Sequence, residues 1–143
     1  MKKNDVIITE QDFEQPIQSV WKAITNKSQM QDWFFDNIPE FKAEVGFKTQ
    51  FMVETENRKF LHLWEIVEVI PNKKIKYNWR YQDYNGEAFV SFELTGDETK
   101  TDLKVICEVI DSFDDSIPEF KNESCQAGWD YFIKDSLKQY LEN

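Results

Sequence analysis

The chain carries one histidine, His62, and two cysteines, Cys107 and Cys125, and any nucleophilic or metal chemistry would have to be built from these. A Cys107–His62 pair would be a thiol with its activating base. The strands holding them are expected to be separated by two others, which favours a buried structural thiol. One histidine and two distant thiols match no recognised zinc spacing, so no metal is expected. Asp114 and Asp115 are adjacent acids in a polar loop and read as solvated surface. Four glycines, Gly46, Gly86, Gly96 and Gly128, form no phosphate-cradling loop, and no cofactor is expected. What remains is aromatic. Trp33, Phe51, Trp64, Tyr77, Trp79, Phe92, Trp129 and Phe132 are expected to converge on one interior space, with His62 and Cys107 on its wall. Taken singly each ring reads as core; as a group they read as the lining of a cavity. The polar atoms of His62, Tyr77 and Trp79 need partners when buried and would orient an apolar ligand with a polar head. Phe34 and Phe35 form a second candidate, either exposed at a pocket mouth or anchoring the link that follows them.

Sheet and helix must position these rings. Ile75, Tyr77, Trp79 and Tyr81 alternate with Lys74, Lys76, Asn78 and Arg80, which makes one face of a strand apolar and the other wettable. Similar alternation marks Val6 to Phe13, Phe47 to Val53, Ala88 to Leu94 and Leu103 to Val109. Between Lys59 and Ile70 the parity changes: His62, Trp64 and Ile66 share one phase, Val67 and Val69 the other, and a bulge reconciles them. Asp83-Tyr84-Asn85-Gly86 reads as a hairpin turn. Trp129, Phe132, Ile133, Leu137, Tyr140 and Leu141 recur at helical spacing and form one stripe, expected from about Ser124 onward as an N-cap. Gly128 inside that helix marks either a closely approached backbone or a bend. Pro16 opens a first helix with Ile17, Val20, Trp21 and Ile24 inward, and Ser28 is expected to cap a second. The segment from Asp111 to Asn122 reads as a loop that includes a helical turn. The expected fold is α+β: a curved antiparallel sheet of about seven strands wrapped around a long C-terminal helix, with two short helices between strands 1 and 2.

The 143 residues fit one domain, at which size roughly two-thirds of the unfolded surface can be buried. Aromatic residues make up 15% of the chain, and interlocking so many large rings often leaves a residual cavity. A formal charge of −10 opposes binding to nucleic acid, where phosphate contacts need clustered Lys and Arg. No apolar run approaches the roughly 20 residues that span a bilayer, and Val6 to Thr9 is too short for a signal-peptide core. A cytoplasmic protein is expected, a monomer or weak dimer, with both thiols free in a reducing compartment.

Several phrases in this order resemble the helix-grip fold of the START-like, or SRPBCC, superfamily that includes the birch-pollen allergen. They are Pro16-Ile17-Gln18-Ser19-Val20-Trp21, Met30-Gln31-Asp32-Trp33-Phe34, Val45-Gly46-Phe47, Glu68-Val69-Ile70-Pro71 leading to Ile75-Lys76-Tyr77-Asn78-Trp79, Thr101-Asp102-Leu103-Lys104-Val105, and Gly128-Trp129. Within the superfamily the chain is similar to homologues of the C-terminal domain of the Aha-type activator of the heat-shock protein 90 ATPase. Across the superfamily the fold hosts lipid carriers, receptors, cyclases and chaperone activators, so it does not by itself name a function. Many bacterial members of the closer family carry a His where this chain has Cys107, which argues against an acid–base role at that position. Full activators also carry a separate N-terminal domain that these 143 residues do not contain.

Three functions follow as expectations. The first is non-catalytic binding of a small hydrophobic or amphipathic molecule between sheet and helix. The second is a chaperone-associated protein acting on the heat-shock protein 90 ATPase, its acidic surface meeting a basic patch. The third is an enzyme, cyclase- or hydrolase-like, using Tyr77, His62 and Glu68, for which spacing supplies no paired acid and base.

Overall fold

Period-2 alternation builds the sheet. In the computed structural model, which describes residues 1–142, the strands are β1 (Val6–Phe13), β2 (Lys48–Glu54), β3 (Lys59–Ile70), β4 (Lys74–Tyr81), β5 (Glu87–Gly96) and β6 (Thr101–Asp111). They form one antiparallel sheet in the order β1-β6-β5-β4-β3-β2. The count is six, not about seven. Residues 34–47 add no strand; Pro39 has no N–H to give a ladder, and the segment instead drives Ile38 and Phe41 into the core. Only Gly46 N–H to Ile66 O (2.8 Å) and Ile66 N–H to Phe47 O (2.9 Å) extend the β2–β3 ladder toward it. Gly46 takes φ +92°, a left-handed conformation that glycine adopts without strain.

The change of parity within β3 is a bulge: the β3–β4 register shifts between Ile66 and Glu68. It lets His62, Trp64 and Ile66 face inward while the strand continues beyond them. On β4, Ile75, Tyr77 and Trp79 are buried and Tyr81 is half-buried. The opposite face is less uniformly wet than its residue types imply. Asn78 is buried there, donating to Glu87 Oε2 at 2.6 Å and accepting from Arg80 Nε at 3.1 Å.

Two short helices follow β1: α1 (Ile17–Thr25) and α2 (Lys27–Trp33). Pro16 is the N-cap of α1 rather than its first helical residue, and Asn26, not Ser28, caps α2, its side chain accepting from Gln29 N–H at 3.1 Å. Asn26 wins because it ends α1 in extended conformation, so one residue closes a helix and opens the next. The loop before the last helix holds a single 3₁₀ turn, Pro118–Phe120.

The C-terminal helix begins at Asn122, with Lys121 as N-cap; Ser124 lies inside the first turn, where its Oγ donates to Pro118 O at 2.8 Å. It runs as α3 (Asn122–Asp130), a π-helical stretch over Tyr131–Leu137, and α4 (Lys138–Glu142). Trp129, Ile133 and Leu137 are buried, while Phe132, Tyr140 and Leu141 are partly buried against the same core. The helix also closes an edge of the sheet. Gln126, Lys134 and Lys138 donate to the carbonyls of Ile8 (3.1 Å), Glu10 (2.9 Å) and Asp12 (2.8 Å), alternate residues of edge strand β1. Acceptors that would otherwise recruit a foreign strand are thereby occupied.

Candidate functional site: a ring-walled cavity under the C-terminal helix

Small residues in three neighbouring elements leave a space that the rings around them do not fill. Ala88 and Val90 face inward on β5, Val90 pairs in register with Cys107 on β6, and Cys125 and Gly128 come from α3. The resulting cavity measures about 170 Å³. A Cβ added at Gly128 would meet nothing within 4 Å, so the glycine stands beside open space rather than a closely approached backbone. Trp79 and Trp129 meet across one side, and Phe34, Phe35 and Phe132 close another. Tyr81 and Phe113 complete the apolar wall, while Glu119 and Ser124 make its rim polar.

The structure divides the expected residues into two groups. His62, Trp79, Cys107, Trp129 and Phe132 line the cavity. Trp33, Phe51, Trp64, Tyr77 and Phe92 do not; all are buried and form the layer that supports it. Phe51 stacks on the His62 ring (4.9 Å, 20°), and Phe92 meets Trp129 edge to face (5.8 Å, 77°). Trp33 donates its indole N–H to Ala23 O at 2.7 Å and ties α2 to α1. Tyr77 lies under Phe41 of the 34–47 link and beside Trp64, away from the cavity. Its hydroxyl and Trp64 Nε1 are sealed from solvent without a hydrogen-bond partner among the described residues.

Phe34 and Phe35 are not exposed rings. Phe34 is a hub, stacked on Trp33 (4.7 Å, 6°) and in contact with Trp64, Trp129 and Phe132 at 5.7, 5.8 and 4.9 Å. Both sit on the cavity wall. Sequence reasoning passed over Tyr81, Ala88, Val90, Phe113, Cys125 and Gly128 as wall residues. A signal was available for some of them: the inward row of β5 opens with the small side chains Ala88 and Val90 before Phe92, and Gly128 stands next to Trp129 in the helix.

The polar atoms are tuned toward neutrality. His62 is 5% exposed, with Nδ1 3.1 Å from Phe60 O. Burial pushes its pKa from the ordinary 6.5 down to about 4, against a smaller opposing effect of the Phe60 hydrogen bond. Burial, with smaller contributions from Cys125 and Glu108, pushes the Cys107 thiol up to about 12, and burial pushes Cys125 up to about 11. Neither is a thiolate at neutral pH, and β5 and β4 separate Cys107 from the strand of His62. Both cysteines are free. At the rim, Glu119 accepts from Arg58 Nη1 (3.0 Å) and Thr55 Oγ1 (2.9 Å). Glu68 pairs with Lys74 at 3.1 Å and does not line the cavity. No group of three or more His, Cys, Asp or Glu among the described residues is placed to hold a metal, and no helix among them is long and apolar enough to cross a membrane.

A curved antiparallel sheet holding a long C-terminal helix over a small cavity is the helix-grip arrangement of SRPBCC-like proteins. The chain belongs to the family described as Activator of Hsp90 ATPase homolog 1-like protein, whose model matches residues 14–142. No curated protein matches the sequence. Among solved structures it is similar to protein CV1439 of Chromobacterium violaceum (22% identity, 96% of this chain and 97% of that one, TM-score 0.78). It is similar also to protein MLL2253 of Mesorhizobium loti (24%, 96% and 97%, 0.75) and to Aha1 of Colwellia psychrerythraea, solved as a dimer (19%, 96% and 96%, 0.72). At these identities the likeness establishes the fold.

Proposed function

We propose that the chain is a non-catalytic binding protein that encloses a small, largely apolar molecule between sheet and C-terminal helix. The observation that carries this reading is the stacking of Ala88, Val90, Cys107, Cys125 and Gly128, which leaves about 170 Å³ among rings. An apolar cavity of about 150 Å³ is enough to take up benzene, whereas drug-sized ligands occupy roughly 300 Å³ or more. The occupant is therefore one or two rings in size, not a long-chain lipid. Depressed basicity at His62 and raised thiol pKa values support binding over catalysis, since neither the imidazole nor either thiol is poised near neutral pH. Two free thiols support a reducing, cytoplasmic setting. Thermal shifts with a panel of small aromatic metabolites and lipids test the proposal: a binder at 100 times its Kd adds about 2.7 kcal/mol. Absence of a shift with every compound would overturn it.

Family membership and a charge of −10 favour a second reading, modulation of the heat-shock protein 90 ATPase through a basic patch on that partner. The rate of the cognate ATPase with and without the chain, at low and high salt, decides it. An unchanged rate at high micromolar concentration removes it.

A further inference from the structure

We infer that the occupant of this cavity is a neutral one- or two-ring molecule that donates a hydrogen bond, from a hydroxyl or ring N–H, to Nε2 of His62; the inference rests on the binding reading above. The His62 ring is held by its neighbours. Phe51 stacks on it at 4.9 Å, Tyr81 meets it edge to face at 4.8 Å, and Phe35 lies tilted against it at 5.2 Å. Its Nδ1 faces Phe60 O at 3.1 Å, and a carbonyl oxygen only accepts, so the proton of the imidazole sits on Nδ1. That leaves Nε2 a lone-pair acceptor. No donor among the described residues reaches it, yet it is not one of the sealed, unpartnered atoms, which are Trp64 Nε1 and Tyr77 OH. The imidazole lies on the cavity wall in a residue 95% buried, and an acceptor left there without a donor is costly. Burial also keeps the ring uncharged at neutral pH.

Charge selects further. No Lys or Arg side chain lines the cavity; the Met1 ammonium on its wall already donates to Phe120 O at 2.7 Å, and Glu119 at the rim is already held by Arg58 and Thr55. At Nε2 itself a carboxylate would meet a lone pair and no proton. An ammonium would lose its water against Ala88, Val90 and Cys107 without a free counter-charge.

Calorimetric titration with four two-ring probes separates these cases: 2-naphthol, naphthalene, 2-naphthoate and 2-naphthylmethylammonium. The expected order places 2-naphthol about tenfold tighter than naphthalene, with both ions weakest. In His62→Phe the naphthol advantage vanishes while naphthalene still binds. As His62 is the chain's single histidine, its Nε2 nitrogen resonance can be followed without ambiguity in the unsubstituted protein, and it should shift with 2-naphthol but not with naphthalene. Equal binding of naphthol and naphthalene, tightest binding of either ion, or an unmoved Nε2 signal on naphthol saturation overturns the inference and leaves the cavity-binding reading standing. Failure of all four probes and of their one-ring counterparts phenol and benzene overturns both.

Discussion

Trp79 of β4 and Trp129 of α3 meet edge to face, with ring centroids 5.6 Å apart and planes inclined at 67°. Sheet and helix are joined at this contact, beside the cavity, and each ring is nearly buried, at 7% and 8% exposure. Replacing Trp129 with Ala removes both its packing and its aromatic pairing, with an expected loss of about 3–5 kcal/mol. Urea unfolding of the variant measures this; a loss below 1 kcal/mol would mean that the helix is held elsewhere.

Gly128→Ala should separate stability from binding. The added methyl meets no atom within 4 Å and relieves about 1 kcal/mol of helix propensity, so the melting temperature rises. The same methyl projects into space the ligand would use. Larger substitutions, such as Gly128→Val, should cut ligand affinity in a panel titration without unfolding the protein.

Stability should depend on pH through His62. Its folded pKa, about 4, lies below the ordinary 6.5, so the unfolded chain binds the proton more readily. The contribution is complete above pH 6.5 and declines as pH falls toward 4, with a limiting size of about 3 kcal/mol. Denaturant midpoints of the native protein and His62→Phe, compared at pH 7 and pH 4.5, should show the native protein losing more. Equal losses would contradict the sign.

Gly86 has φ +123°, and a Cβ there would collide with the ring of Phe113, itself part of the cavity wall. Gly86→Ala should therefore destabilise by about 1–3 kcal/mol and alter ligand uptake together. Gly46→Ala makes the contrast: it shares the left-handed φ but meets nothing within 4 Å, so any loss should appear in stability alone.

Removing the side chains that occupy β1's outward carbonyls should expose that edge. Lys134→Met with Lys138→Met is expected to cost about 1 kcal/mol and to promote concentration-dependent association, read by light scattering. A monodisperse, equally stable variant would show that the β1 edge is protected by other means.

Alternation and helical spacing made the sheet faces, the bulge near Val67 and the C-terminal stripe legible, because burial acts directly on residue type along one element. The cavity was only half legible. Tyr77 and Trp79 occupy equivalent positions on β4, and nothing local distinguishes them; Phe41 covers the first and the helix overlies the second. That difference depends on how the 34–47 link returns across the sheet, a long-range fact. Large residues drew attention, whereas the space itself is written in small ones, Ala88, Val90, Cys107, Cys125 and Gly128, whose absence of bulk has meaning only once three elements are brought together. The caps at Asn26 and Lys121 were missed for a local reason: several polar residues compete at each helix start, and backbone geometry chooses between them.

The wide turn over Tyr131–Leu137 sets a rule for chain length. Such a turn holds one surplus residue relative to an α-helix, and Phe132 faces the cavity on it while Ile133 and Leu137 face the core. A homologue lacking one solvent-exposed position here, such as that of Asp135, could keep both flanks in phase by reverting to ordinary helix. A one-residue deletion in α3 instead would turn Trp129 by about 100° relative to everything before it. Gaps between relatives should thus gather in this single turn, and the residue count across it becomes a readable mark of how each member shapes the roof over its cavity.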